Sequence, residues 1–268
     1  MTEAQPSCCP EGSWGAPLDI PCGDKSFGNA SGESVMIGPD KNLEVYVAKP
    51  DAAVEKAMMV FTDVYGLQSR LFAILDKLAT DLKLYIVAID CFRGETMNDH
   101  TTDALDWLRK HPFDDGQGSI HKDGATFHTV AKDIGWCFEF LSEKFGVDSS
   151  NVGAIGFCWG VWAFTKACAM GIHFKCGVGF HPSLTVEERA FGMDHVNMAK
   201  LASERTPLLY CVAGNDPDNL KPPGGEVAQM LSSSNHNAEN LKKQQPKCVE
   251  FPDQAHGWVS GGIQAKIM

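Results

Sequence analysis

The chain has 268 residues, of which 44% are hydrophobic and 21% are charged. This composition is typical of a globular protein with enough apolar side chains for a sizeable core, and the length suits one large α/β domain. The formal net charge of −11 argues against nucleic acid or an anionic membrane as a partner, since both favour a basic surface. A small anionic ligand stays compatible, because one local arginine can bind a carboxylate.

Ten cysteines are spread along the chain without the spacing of a disulfide framework. The N-terminus shows no secretory signal, and no apolar run approaches the roughly 18 residues of a membrane span. We therefore expect reduced cysteines and a cytoplasmic location. Cys8, Cys9 and Cys22 could bind a metal, but no C-x-x-C pair or fourth ligand follows them, so we expect no metal and no cofactor.

Residues 1–33 are rich in Gly, Pro, Ser and Cys, and we interpret them as an N-terminal arm before a single domain at 34–268. A turn-like tetrapeptide at 39–42 predicts an opening hairpin. Short apolar segments then alternate with helical periodicity, which predicts a mostly parallel central sheet with helices on both faces. The predicted strands are 34–38, 43–49, 57–62, 84–89, 152–156, 176–180, 207–213 and 247–251, and the predicted helices are 68–82, 101–110, 125–145, 159–170 and 223–233.

The segment Gly156-Phe157-Cys158-Trp159-Gly160 has the spacing of a nucleophile elbow, with cysteine where serine is usual. The two glycines leave room for a turn that other residues would crowd. The helix predicted from Trp159 places its positive dipole end beside Cys158, which favours the reactive thiolate. A buried structural cysteine in a glycine-rich turn is the alternative for this motif taken alone.

Two later loops at predicted strand ends carry groups that can serve Cys158. Asp216 follows the strand at 207–213, and His256 follows the last strand. Open parallel sheets bind ligands at the carboxyl ends of their strands, and the order Cys, Asp, His matches nucleophile, acid and base in α/β-hydrolases. We predict a triad in which His256 activates the thiol and Asp216 orients the imidazole, with Asp218 as the alternative orienting group.

An ester or lactone carbonyl attacked by sulfur becomes an oxyanion that needs backbone donors. The N–H of Trp159, directly after the nucleophile, is one expected donor. The second is expected from the loop that follows the strand at 57–62.

With these motifs in place, the chain resembles the dienelactone hydrolase family, the carboxymethylenebutenolidases, over roughly residues 34–258. The segments that carry the resemblance are Thr62-Asp63-Val64-Tyr65-Gly66, Asp90-Cys91-Phe92-Arg93-Gly94, the elbow at 156–160, His181-Pro182-Ser183, Gly214-Asn215-Asp216 and Ala255-His256-Gly257. The resemblance implies an α/β-hydrolase fold and a triad of Cys158, Asp216 and His256.

The resemblance also implies roles for residues around the triad. Val64 becomes the second oxyanion donor, Asp63 an acid that restrains the resting thiol, and Arg93 a binder of the substrate carboxylate. Asp63 as a strand-end cap and Arg93 as a solvated loop charge are the alternatives. His181 either lines the pocket or caps a turn, and Trp258 either walls the acyl site or belongs to the core.

Three departures from the family pattern stand out. Val161 occupies a position where the family commonly has glycine, and it could crowd the start of the helix. Ser260 and Gly261 stand where relatives have a second carboxylate-binding arginine, so half of the anion clamp is missing. Only residues 257–268 follow His256, where the family closes with a helix, so we expect a truncated or different ending.

The leading hypothesis is a cofactor-independent hydrolase that cleaves small esters or lactones through a thioacyl-enzyme on Cys158. The alternative is a non-catalytic ligand-binding or interaction protein that kept the fold. A thiol redox protein is disfavoured, because Cys158 has no C-x-x-C partner. The sequence predicts neither the individual substrate nor the oligomeric state.

Overall fold

The computed structural model describes residues 30–97, 104–114, 129–233 and 247–260. The predicted arm, with Cys8, Cys9 and Cys22, lies outside these residues except for its last four positions. The predicted difference in the chain ending also lies outside them.

The strands of the described residues form one eight-stranded sheet. They are β1 (Glu33–Ile37), β2 (Leu43–Ala48), β3 (Ala57–Phe61), β4 (Tyr85–Ile89), β5 (Val152–Phe157), β6 (Gly177–Phe180), β7 (Leu208–Ala213) and β8 (Lys247–Phe251). Their order across the sheet is β1-β2-β4-β3-β5-β6-β7-β8. Only the pairings of β2 with β1 and with β4 are antiparallel. This order confirms the predicted α/β-hydrolase fold.

Helices cover both faces of the sheet within the described ranges. They are α1 (Ser69–Leu82), α2 (Ala104–Leu108), α3 (Val130–Phe145), α4 (Trp159–Ala169), α5 (Val186–Phe191), α6 (His195–Ser203) and α7 (Glu226–Ser233). The apolar face of α1 packs on one side of the sheet, and α3, α4, α6 and α7 contribute to the larger core on the other side. Every residue of α4 is buried, since this helix lies between the sheet and α6.

Helix α3 shows why the pattern of apolar residues located most elements correctly. Its buried residues include Val130, Ile134, Cys137 and Leu141, at helical spacing on one face. The Thr129 side chain accepts a hydrogen bond from the Lys132 N–H at its start, and a left-handed glycine ends it. The cap places the helix start at Val130, five residues after the predicted position, and residues 125–128 lie outside the described part.

The sequence pattern missed α5 and α6 entirely. Helix α5 has six residues, too few to display a helical repeat, and the apolar positions of α6 are mixed with polar ones. Both helices lie between β6 and β7, so they lengthen the connection that leads from one part of the candidate site to the next. None of the helices in the described ranges is long and apolar enough to span a bilayer.

Candidate active site

Cys158 occupies the sharp turn between β5 and α4, with φ of 52° and ψ of −113°. This conformation is rare for a residue with a side chain and stores strain, which is frequent at functional sites. A Cβ on Gly160 would lie 2.2 Å from the Phe61 carbonyl oxygen, and one on Gly156 would lie 2.7 Å from backbone atoms of Gly160. Both glycines are therefore required because backbone segments approach each other, and the turn holds Cys158 fully buried at the end of β5.

Val161, the departure expected to crowd the helix start, is accommodated by a glycine on the neighbouring strand. A Cβ on Gly179 in β6 would lie 2.5 Å from Cγ1 of Val161. The absence of a side chain at Gly179 thus provides the space that the valine fills, and the elbow keeps its geometry.

His256 and Asp216 meet at the carboxyl ends of β7 and β8. His256 Nδ1 lies 2.6 Å from Oδ1 of Asp216, and both side chains are fully buried. The second carboxylate oxygen of Asp216 accepts a hydrogen bond from the backbone N–H of Ala213 at 2.7 Å. The backbone N–H of His256 donates to Oδ1 of Asn215 at 2.6 Å. The loop after β7 therefore fixes both partners.

The alternative orienting residue, Asp218, points elsewhere. Its side chain is 98% exposed and pairs with Lys221 at 3.0 Å. The geometry thus gives Asp216, and not Asp218, the contact with His256.

The electrostatic surroundings of His256 favour its protonated form. Burial alone would lower the pKa of the imidazole, but the negative charge of Cys158 opposes this effect, as does the hydrogen bond to Asp216. The balance raises the pKa of His256 to about 10. His256 thus contacts the Asp216 carboxylate directly, and its protonation responds to the charge of Cys158.

Ser183 lies next to the sulfur of Cys158, a contact that was not predicted from the sequence. Its Oγ lies 3.2 Å from Sγ of Cys158, in a fully buried contact. Its N–H also donates to the Cys158 carbonyl oxygen at 3.2 Å. The only available signal was the motif His181-Pro182-Ser183, which names the residue but not its contact.

The two predicted oxyanion donors lie on segments that touch. Trp159 is the first residue of α4, so its N–H has no acceptor within the helix. Val64 follows the end of β3 and is fully buried. A Cβ on Gly160 would lie 2.6 Å from the Thr62 carbonyl oxygen, which shows how closely this loop lies against the helix start. Their role as donors stays a prediction.

Asp63 is buried, and its carboxylate takes part in the turn that follows β3. Its Oδ1 accepts the N–H of Tyr65 at 2.8 Å. Burial raises the pKa of Asp63 to about 6, while Ser260, the Tyr65 N–H and the charge of His256 act in the opposite direction. The predicted restraint of the thiol by Asp63 stays a prediction.

Arg93 makes a two-point ion pair. Its guanidinium nitrogens lie 3.0 Å and 2.6 Å from the two carboxylate oxygens of Asp133 in α3, and Nη1 also donates to the Asp90 carbonyl oxygen at 2.9 Å. The Asp133 side chain is fully buried, and burial raises its pKa to about 6 even though Arg93 lowers it. The solvated loop charge is thus the wrong alternative for Arg93, and its predicted contact with a substrate carboxylate stays a prediction.

His181 directly follows the end of β6, and Trp258 packs against the last residue of that strand, Phe180. The ring of His181 is fully buried, 4.9 Å from the ring of His256 between centroids. Trp258 is partly exposed, and its ring contacts Phe251 and Phe180 at 5.1 Å and 6.1 Å. His181 therefore contacts His256, whereas the described ring contacts of Trp258 are with Phe180 and Phe251. Contact with substrate stays a prediction for both.

No group of three His, Cys, Asp or Glu side chains within the described ranges is arranged to hold a metal ion. The groups gathered around Cys158 are instead those of nucleophilic chemistry: a thiol in a strained elbow, an imidazole and a buried carboxylate. The sheet order and the elbow at the end of β5 define an α/β-hydrolase.

Comparison with known proteins places the chain within that class. The family model of the dienelactone hydrolase family matches residues 43–260, so the chain belongs to the dienelactone hydrolase family and is a hydrolase by family. A carboxymethylenebutenolidase homolog from Xenopus tropicalis is 29% identical over 247 residues, covering 91% of this chain and 84% of that protein.

Solved structures show the same fold at low identity. A putative dienelactone hydrolase from Klebsiella pneumoniae has a TM-score of 0.55 at 15% identity, over 85% of this chain and 87% of its own. The poly(aspartic acid) hydrolase-1 of Sphingomonas sp. KT-1 has a TM-score of 0.52 at 16% identity, over 84% of this chain and 93% of its own. These likenesses show the fold and nothing about substrate.

Proposed function

We propose that the protein hydrolyses small esters or lactones through a thioester on Cys158, without a cofactor. The contact of 2.6 Å between His256 and Asp216, beside the elbow that holds Cys158, is the observation that carries the proposal. Membership of the dienelactone hydrolase family supports hydrolysis as the reaction. A thiolate paired with an imidazolium is a nucleophile suited to acyl transfer.

In the first half of the reaction, Sγ of Cys158 attacks the carbonyl carbon, and the new C–S bond moves an electron pair onto the carbonyl oxygen. The N–H groups of Trp159 and Val64 bind this oxyanion. Its collapse breaks the bond to the leaving oxygen, which takes a proton from His256. Asp216 holds the imidazole in the required orientation throughout.

In the second half, water attacks the thioester carbon and gives a proton to His256. Collapse of the second tetrahedral species breaks the C–S bond and releases the acid and the thiolate of Cys158. One water is consumed per turnover, and no oxidant or reductant is needed. With a lactone, the leaving hydroxyl stays attached to the acid product.

The charges around the site support uncharged substrates. Asp133 already neutralises Arg93 with two contacts, and Ser260 replaces the second arginine of the family pattern. A substrate carboxylate at Arg93 would have to share the guanidinium charge with Asp133. We therefore propose that the protein prefers neutral small-molecule esters and lactones over those that carry a carboxylate. A preference for carboxylate-bearing substrates would instead support the prediction that Arg93 binds the substrate carboxylate.

We propose a cytoplasmic location, as the cysteines of the sequence indicate. All seven cysteines in the described part of the chain are free thiols. A nucleophilic Cys158 must stay reduced, which a reducing compartment favours. Cell fractionation with detection of the native chain tests this location.

The decisive experiment compares Cys158→Ala with Cys168→Ala in hydrolysis of p-nitrophenyl acetate. Both residues are buried, but burial raises the pKa of Cys168 to about 12, so it stays a thiol. We expect Cys158→Ala to lose activity while circular dichroism stays unchanged, and Cys168→Ala to keep it. Full activity in Cys158→Ala would overturn the thioester mechanism. An inactive wild type whose Cys158 resists alkylation would favour the non-catalytic alternative.

A further inference from the structure

The turn after β6, His181 to Ser183, is bonded directly to the nucleophile elbow. The N–H of Cys158 donates to the Phe180 carbonyl oxygen at 3.1 Å, and the N–H of Ser183 donates to the Cys158 carbonyl oxygen at 3.2 Å. The Ser183 hydroxyl then reaches Sγ of Cys158 at 3.2 Å. The turn therefore holds both the backbone and the sulfur of the nucleophile.

The same turn also contacts the base. His181 has a φ of 42°, in the left-handed region that a side chain disfavours, and its N–H donates to the Cys211 carbonyl oxygen at 2.8 Å. Its ring packs against His256 at 64°, edge to face. Burial, with the charge of His256 as a second cause, keeps the pKa of His181 well below its usual value, so the ring beside His256 is neutral.

The bonds that shape the turn do not use the Ser183 hydroxyl. The Ser183 N–H binds Cys158, and its carbonyl oxygen accepts the N–H of Val186 at 3.1 Å, which starts α5. The side chain is 3% exposed, and its described hydrogen bond is to the sulfur. The hydroxyl is thus a separate feature, which a substitution can remove while leaving the backbone bonds of the turn intact.

We infer that Ser183 is a positioning residue for the nucleophile, its hydroxyl donating a hydrogen bond to the Cys158 thiolate and aiming the sulfur toward the substrate carbonyl. This inference rests on the proposed function. A thiolate buried without water needs protein donors, and charge-assisted hydrogen bonds are the strong ones. The donor of His256 and the hydroxyl of Ser183 would then share the sulfur.

The titratable groups around Cys158 and His256 differ from Ser183 in how they respond to pH. Around His256 these are Cys158, Asp216, Asp63 and His181. Each of these carries a titratable proton, whereas the serine hydroxyl does not ionise in the working range. Its contribution should consequently be the same at every pH at which the thiolate exists.

The test is alkylation of Cys158 by iodoacetamide, which needs no ester substrate. The rate is followed from about pH 5 to about pH 9 by mass spectrometry of the peptide that contains Cys158, because only the thiolate reacts. We expect Ser183→Ala to raise the pH of half-maximal rate by about one unit, which is about a tenfold loss of rate on the acidic side. Ser232→Ala, whose hydroxyl bonds the Ala228 carbonyl oxygen on α7, is the remote control and should match wild type.

A second pair of variants secures the result if Ser183→Ala does not fold. Ser183→Thr and Ser183→Val have nearly the same shape, and only threonine keeps a hydroxyl. We expect threonine to retain the wild-type pH profile and valine to lose it. Identical profiles for these two variants, or for Ser183→Ala and wild type, would overturn the inference.

Ester hydrolysis separates this inference from the proposed function. If both are right, Ser183→Ala lowers kcat for p-nitrophenyl acetate about tenfold with little change in KM. If the wild type has no esterase activity, the alkylation profiles still decide the role of Ser183. If Cys158→Ala abolishes activity and Ser183→Ala changes neither assay, the proposed function stands and the inference fails.

Discussion

The Asp216 carboxylate makes two different bonds, Oδ1 with His256 Nδ1 at 2.6 Å and Oδ2 with the Ala213 N–H at 2.7 Å. The second bond ties the carboxylate to the end of β7, so it cannot rotate without losing a buried backbone partner. Rotation would leave that N–H unsatisfied, at a cost of about 1–3 kcal/mol. The imidazole is therefore oriented by the strand itself through Asp216.

Asp216→Asn should retain the fold and lose most of the activity. The side-chain oxygen of the asparagine should accept the hydrogen bond from the Ala213 N–H. The side-chain nitrogen of the asparagine then points toward His256 Nδ1. That arrangement makes Nδ1 an acceptor and puts the proton on Nε2, the wrong tautomer for accepting a proton from sulfur or water. We expect kcat/KM for p-nitrophenyl acetate to fall by roughly 10²–10⁴. Asp218→Asn is the control, and equal losses in the two variants would contradict the assignment.

The contact of Asp216 with His256 agrees with the sequence prediction, because each part of the candidate site has a local signature. The elbow at 156–160 is a short motif, Asp216 follows an apolar run, and His256 follows a short strand near the end of the chain. The alternation of strands and helices predicts a mostly parallel sheet, although not the order of its strands. These features depend on residues close together in the chain, which a single sequence displays.

What the sequence did not predict depends on pairs far apart in the chain. The ion pair of Arg93 with Asp133 joins residues separated by 40 positions, and no local pattern links them. The space for Val161 comes from Gly179 on another strand, so a departure that looked harmful is compensated elsewhere. Such relationships become visible only when the packed chain is seen.

Gly160→Ala should be strongly destabilising, whereas Gly135→Ala should not. A Cβ on Gly160 meets the Phe61 carbonyl oxygen at 2.2 Å, so α4 would have to move away from β3. Gly135 lies in α3 with open space around the added atom, and alanine there should stabilise by about 0.5–1 kcal/mol because alanine favours helix. Urea unfolding measures both changes. A Gly160→Ala variant as stable as wild type would show that the elbow is not tightly packed.

Arg93→Ala should destabilise the protein at neutral pH by about 3–5 kcal/mol, because it leaves the buried carboxylate of Asp133 unpaired. The pKa of Asp133, already about 6, should rise further without its partner. The loss should accordingly shrink at acidic pH, where Asp133 is neutral. Arg93→Met with Asp133→Leu should recover most of the stability, since neither charge is then buried alone. Urea unfolding at neutral and at acidic pH gives the free energy of unfolding of each variant. A loss of stability in Arg93→Ala that is the same at both pH values would contradict this account.

The ion pair of Arg93 with Asp133 can also be tested through the kinetics of ester hydrolysis. Asp133→Asn leaves the Arg93 guanidinium with a neutral partner. If Arg93 can bind a substrate carboxylate, KM for carboxylate-bearing esters should fall in this variant while KM for neutral esters stays constant. Unchanged KM values for both classes would restrict Arg93 to its ion pair.

Asp63→Asn should stabilise the protein at alkaline pH and have little effect at acidic pH. Burial raises the pKa of Asp63 to about 6, above the usual value of about 3.9 in an unfolded chain. Between these values the folded state binds more protons than the unfolded state, so stability falls as pH rises from about 4 to about 6 and the loss persists above that. Asparagine keeps the oxygen that accepts the Tyr65 N–H but carries no charge, so it removes this loss.

The expected gain is roughly 2–3 kcal/mol at pH above about 7, from a shift of about two units at about 1.4 kcal/mol each. The difference in the free energy of unfolding between wild type and Asp63→Asn, measured across pH, isolates this carboxyl from Asp133, whose pKa of about 6 affects both proteins equally. Asp253→Asn, on the exposed turn after β8, is the surface control for the same chemical change. A pH-independent difference between wild type and Asp63→Asn would mean that Asp63 is ionised at no cost, with Ser260 and the charge of His256 fully offsetting its burial.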